Sequence, residues 1–107
     1  MTEPTLRVLT LNVGSLLEHG WDERRHEVVA WLRRVDPDVV CLQEIHERIG
    51  DPSSNTATWI VDELADQGWH MHFFGGEFSQ ELWPGIDLLF GSAILSRWPI
   101  DEHQGIL

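Results

Sequence analysis

Apolar positions along the 107-residue chain follow two periods, one suited to strands and one to helices. The stretch LRVLTLNV, residues 6–13, is β-rich and mostly apolar, with Asn12 near its end, and predicts a strand. After a connection holding two glycines, Val28, Leu32 and Val35 recur on one helical stripe, flanked by Val29 and Trp31. This predicts a helix over about 22–35, with Asp22 as its cap, Glu23 in its first turn and Arg33 and Arg34 in its last. Asp36-Pro37 ends it, because the residue before proline avoids helical geometry. DVVCLQEI, residues 38–45, predicts a second strand that delivers Gln43 and Glu44 at its far end.

The remaining pattern is shorter. GDPSSNT, residues 50–56, is a polar loop, and a second helix is expected over about 56–67. Ile60 and Leu64 face inward on it, and Gly68 closes it. WHMHFF, residues 69–74, and LLFGSAILSR, residues 88–97, are strand candidates separated by an irregular stretch. The order is β-α-β-α-β-β, an α+β chain that opens with a β-α-β unit. Near-continuous apolar strands imply a sheet covered on both faces.

Composition narrows what such a chain can do. A hydrophobic content of 42% with 23% charged residues is that of a soluble globular domain, and the length allows one domain at most. Eighteen Asp plus Glu against seven Arg, with no Lys, give a formal charge of -11. An acidic surface repels phosphate backbones, so direct nucleic-acid binding is not expected, although an acidic metal site recruits phosphates through its cation. The lone Cys41 cannot close an internal disulfide and is expected to be buried packing. MTEPTLRV has no signal-peptide pattern and no apolar run is of membrane-spanning length, which makes a cytoplasmic setting the expectation.

If the first two strands are parallel neighbours, their carboxyl ends share one edge of the sheet, where α/β proteins build sites. Asn12 and Glu44 would then lie together. One carboxylate and one amide oxygen, with room for water, suit Mg²⁺. The spacing alone favours a solvated glutamate and a turn-forming asparagine over a metal site.

LRVLTLNV, DPDVVCLQEI and GSAILSRWPI, in this order and spacing, resemble the first three landmarks of the endonuclease/exonuclease/phosphatase superfamily. The resemblance spans nearly the whole chain. It implies a deoxyribonuclease-I-like four-layer α/β/β/α sandwich, of which residues 1–107 would be the N-terminal portion. It implies hydrolysis of phosphodiesters or phosphomonoesters, with Mg²⁺ as cofactor and Mn²⁺ as a substitute. The family's strand asparagine and the glutamate of its Gln-Glu pair belong to the metal centre, which assigns Asn12 and Glu44 as metal ligands. The family's later catalytic Tyr and Asp, its Asp-x-Asn pair and its Asp-His pair find no match, since the chain has no Tyr, no Asp-x-Asn and no Asp-His.

The chain alone is therefore expected to be inactive. Its alternative role is a non-catalytic interaction protein that pairs with another polypeptide. Half a sandwich leaves a sheet face uncovered, so self-association is expected as well. Gly14 and Ile45-His46 stand where apurinic/apyrimidinic endonucleases carry Asn and Thr-Lys, which disfavours that branch.

Other candidates carry less. His70 and His72 alternate on one strand face, with metal-ligand spacing but also the spacing of an ordinary outward face. His46 lies two residues past Glu44 and reads as a surface residue or a substrate contact. Ser92 and Ser96 lack a nucleophile elbow. Arg97, beside Trp98, reads as a structural cation.

Overall fold

The computed structural model describes residues 5–15, 19–77 and 84–101. Eight elements follow the predicted order. They are β1 (Val8–Asn12), α1 (Trp21–Val35), β2 (Val39–Arg48), a 3-10 turn (Pro52–Ser54), α2 (Thr56–Glu63), a second 3-10 turn (Ala65–Gln67), β3 (His70–Glu77) and β4 (Leu88–Ser96). The four strands form one sheet in the order β1-β2-β4-β3. β1 and β2 are parallel, with Leu11 opposite Leu42 and Asn12 opposite Gln43. β4 runs antiparallel to both of its neighbours.

Side-chain alternation on the strands decides what each face does. Val40 and Leu42 of β2 and Ala93 and Leu95 of β4 are fully buried beneath the helices. Leu32 from α1 and Ala57, Ile60 and Leu64 around α2 complete the same cluster, so both helices lie on one face. Leu9, Leu11, Met71 and Phe73 pack at its margins. The alternate positions, among them Cys41, Ile94 and His72, point away from the helices and stay half-buried. Two expectations are corrected by this. The sheet is covered on one face only among the described residues, and Cys41 is half-buried rather than enclosed. The apolar run 39–42 misled because Val39 and Cys41 belong to the face opposite Val40 and Leu42.

Element ends show which local signals won. Gly20, with a φ of 76°, caps α1 without a side-chain bond, and Asp22 sits in the first turn instead of at the cap. Asp36 takes a left-handed conformation, φ 51°, and its amide bonds the Leu32 carbonyl before Pro37 stops the helix. Arg97 then ties this corner down. Its Nη2 lies 2.6 Å from Asp36 Oδ1, and its guanidinium carbon is 4.0 Å from the Trp69 ring centroid. The structural role expected of Arg97 holds.

α2 is shorter than predicted and relaxes into a 3-10 turn before Gly68, whose φ of 69° suits glycine. Arg33 holds that turn through a paired contact with Asp66, at 2.8 and 2.9 Å. β3 extends to Glu77, through two glycines that the sequence pattern assigned to irregular chain. Gly91 opposite Gly75 explains the close pairing, because a Cβ at 91 would collide with the Phe74 carbonyl. Among the described residues, no helix is long and apolar enough to cross a membrane. Trp83 and the terminal stretch after Asp101 lie outside the described residues.

Candidate functional site

β2 does not stop at Ile45 but continues to Arg48, and its pairing with β4 shifts register between Leu42 and Ile45. The shift places Gln43 and Glu44 at a β-bulge, a device that re-aims side chains and bends a strand. Glu44 has a φ of 59°, a left-handed conformation that a residue with a Cβ rarely adopts. Local propensity disfavours this geometry, so tertiary contacts must impose it.

Those contacts come from the segment that follows β1. The Val13 amide donates to the Gln43 carbonyl at 3.1 Å, and the Ser15 amide donates to the Glu44 carbonyl at 3.2 Å. The Ser15 hydroxyl donates to the same Glu44 carbonyl at 2.6 Å. Ser15 is buried, and its Oγ also lies 2.8 Å from His46 Nδ1 and accepts from Thr56 Oγ1 at 3.4 Å. Thr56 Oγ1 in turn accepts the His46 amide at 3.3 Å. The bulge is thus held by a buried polar network that joins three parts of the chain. Burial lowers the His46 pKa below its ordinary value.

The connection itself is fixed by Arg24, at the start of α1. Its guanidinium donates to the carbonyls of Val13 at 2.7 Å, Gly14 at 2.9 Å and His19 at 2.8 Å. Neither Ser15 nor Arg24 was singled out from the sequence. Both act through backbone carbonyls, which leave no residue pattern to read.

Asn12 ends β1, whereas Glu44, expected at the tip of its strand, lies inside β2, which runs on to Arg48. Asn12 is opposite Gln43, one residue from Glu44. Asn12 Oδ1 accepts the Gly14 amide at 3.0 Å, which orients the amide group and leaves its oxygen a second lone pair. The Glu44 carboxylate is half-buried and has no hydrogen-bond or ion-pair partner among the described residues. A carboxylate with no partner among the described residues, one pairing position from an amide oxygen with a free lone pair, is a donor set that suits a hard, partly hydrated cation. Among the described residues no group of three or more His, Cys, Asp or Glu is arranged for a metal. His70 and His72 sit on the helix-free face opposite Ser96 and Ile94, away from the bulge.

Beside the bulge lies a cleft of about 530 Å³ between the start of α1 and the β2–α2 turn. Trp21 and Arg25 line one side, His46, Arg48 and Thr56 another, and Trp59 a third. His46 is therefore a half-buried residue between the bulge and this cleft, bonded to Ser15 and not a plain surface histidine.

A model of the Endonuclease/Exonuclease/phosphatase family matches residues 9–106. The chain belongs to that family, a superfamily of nuclease-like and phosphoesterase enzymes. Among solved structures it is similar to an endonuclease/exonuclease/phosphatase family protein from Leptotrichia buccalis C-1013-b. There the identity is 19% and the TM-score 0.75, over 92% of this chain and 40% of that one. It is also similar to an endonuclease/exonuclease/phosphatase from Beutenbergia cavernae DSM 12333. There the identity is 24% and the TM-score 0.63, over 88% of this chain and 26% of that one. The chain thus spans less than half the length of either structure. A search of curated proteins found no match.

Proposed function

We propose that the chain is the N-terminal portion of a metal-dependent phosphoesterase domain, with Asn12 and Glu44 as two of its metal ligands. The observation that carries this is the Glu44 carboxylate, which has no partner among the described residues and is presented on a bulge next to the Asn12 pairing position. Mg²⁺, or Mn²⁺ in its place, would neutralise substrate phosphate and stabilise a leaving oxygen when bound there. The chain's own contribution is orientation. Gly14 sets the Asn12 amide, and Ser15 sets the backbone from which Glu44 projects. A cytoplasmic setting goes with this reading and is supported by the single cysteine, which makes no internal disulfide.

Hydrolysis needs a proton-transfer group and further charge stabilisation as well as the metal. The chain carries no Tyr, no Asp-x-Asn and no Asp-His, so by itself it should not turn over phosphoesters. Two measurements test the proposal. Mn²⁺ titration followed by electron paramagnetic resonance should show one site, lost in Glu44→Ala and weakened in Asn12→Ala. Equal binding by wild type and Glu44→Ala would remove the metal assignment. Robust Mg²⁺-dependent hydrolysis by the purified chain would overturn the claim of inactivity.

A second reading, a non-catalytic half that pairs with another polypeptide, is favoured by the helix-free sheet face. It predicts that Glu44→Ala leaves association with such a partner unchanged.

A further inference from the structure

The chain carries a charge of -11, yet the charged residues lining the cleft beside the bulge, among the described residues, are Arg25 and Arg48, with no carboxylate beside them in the lining. In so acidic a protein, a cleft whose charged lining among the described residues is cationic has the opposite sign to the chain's net charge. Arg48 pairs with Asp51 at 3.0 Å, from outside the cleft lining, and this contact occupies one of its terminal nitrogens. Arg25 forms no ion pair among the described residues. Its guanidinium carbon lies 4.4 Å from the Trp59 ring centroid, and its Nε is buried without a hydrogen-bond partner among those residues. A guanidinium carries five N–H donors, and leaving one desolvated and unmade is costly.

We propose that this cleft is a phosphate-binding subsite, with Arg25 as its principal ligand and Arg48 as the second. The planar fork of a guanidinium matches the oxygens of a phosphate group. Stacking on Trp59 restricts the Arg25 fork before any ligand arrives, which reduces the ordering cost of binding. The indoles of Trp21 and Trp59 lower the polarity beside the guanidinium and strengthen its charge interaction. The hydroxyls of Ser53 and Ser54 donate to Asp51 already, so the guanidinium groups carry the recognition. The volume of about 530 Å³ admits a group larger than phosphate alone, which allows an ester substituent.

His46 lines this cleft and contacts Ser15, the residue that holds Glu44, so the subsite adjoins the metal position along β2. As a contact for a second phosphate of the substrate, the subsite rests on the phosphoesterase reading. As a phosphate site it stands on its own, and its test uses no metal.

Inorganic phosphate is titrated into the purified chain in EDTA at constant ionic strength. Binding is read by calorimetry and by fluorescence, since Trp21 and Trp59 line the cleft. One saturable site is expected, weakened about tenfold or more in Arg25→Gln and to a smaller extent in Arg48→Ala. Arg33→Ala, on the far corner with Asp66, should bind as wild type does. Arg48→Ala keeps the test decisive if Arg25→Gln fails to fold, because Arg48 is exposed.

A parallel titration with glycerol phosphate distinguishes the two sources of the group. Comparable affinity assigns the cleft to phosphate esters, and binding of inorganic phosphate alone assigns it to the free anion. No saturable binding, or binding indifferent to both arginine changes, would overturn the subsite. Mn²⁺ titration of the same variants, run without EDTA, bears on the metal assignment only.

Discussion

At the scale of single residues, Glu44 combines a chemical task with an unfavourable backbone. A left-handed conformation costs a residue with a Cβ about 1 kcal/mol or more relative to glycine. Glu44→Gly should therefore be more stable to urea than Glu44→Ala by about 1 kcal/mol, while both lose metal binding. Equal stabilities would mean that the bulge relaxes when the side chain is removed. Ser15 is the other half of this device, because its hydroxyl satisfies the Glu44 carbonyl and contacts His46 in a buried setting. Ser15→Ala should cost about 1–3 kcal/mol in a urea melt and Ser15→Thr less, if threonine keeps the hydroxyl in place. The sequence pattern showed Glu44 as the tip of a strand. It did not show the bulge, because the register shift depends on where β4 pairs.

At the scale of elements, α2 depends on one side chain. Asn55 is buried, and its Oδ1 accepts the amides of Ala57 at 2.8 Å and Thr58 at 3.1 Å. Its Nδ2 donates to Glu47 Oε1 at 3.1 Å, so the cap also ties α2 to β2. Asn55→Ala should destabilise the fold by about 1–2 kcal/mol, and Asn55→Asp by more than a simple cap exchange, because it sets a second carboxylate against Glu47.

The Arg33–Asp66 contact joins α1 to the turn after α2 and predicts a pH signature. The hydrogen bond from Arg33, with its charge, holds the Asp66 carboxyl below its ordinary pKa of 3.8. A lowered carboxylate pKa gives stability that is present above 3.8 and lost as pH falls through the lowered value. Carbon-13 detected titration should place Asp66 below 3.8 in wild type and nearer to it in Arg33→Ala. The helix starts and the Asp36-Pro37 stop were legible in the chain, whereas α2 ends at Glu63 and Gly68 closes the 3-10 turn that follows. The cap of α1 was not, because Gly20 competes with Asp22 through backbone freedom and not through a side-chain pattern.

At the scale of the whole molecule, the helix-free sheet face carries Val8, Cys41 and Ile94 together with Thr10, Gln43 and Ser92. Gln43 Nε2 donates to Thr10 Oγ1 at 2.9 Å across this face, which leaves polar breaks in an otherwise apolar surface. Val8 is 60% exposed on it. Sedimentation should show species larger than a monomer at micromolar concentration, and Val8→Lys with Ile94→Lys should shift them toward monomer. A monodisperse wild-type monomer would show that the charge of -11 outweighs the exposed face.

The chain by itself determined the element order, the helix stripes and the parallel entry of β1 and β2. These follow from local period and from the chirality of β-α-β connections, which act over short stretches of chain. The tertiary structure decided the rest. It set the bulge that turns Glu44, the buried Ser15–His46–Thr56 network, the one-sided cover of the sheet and the arginine-lined cleft. Each depends on register between strands distant in sequence or on backbone carbonyls that bear no residue identity, and neither leaves a periodic trace in the order of amino acids.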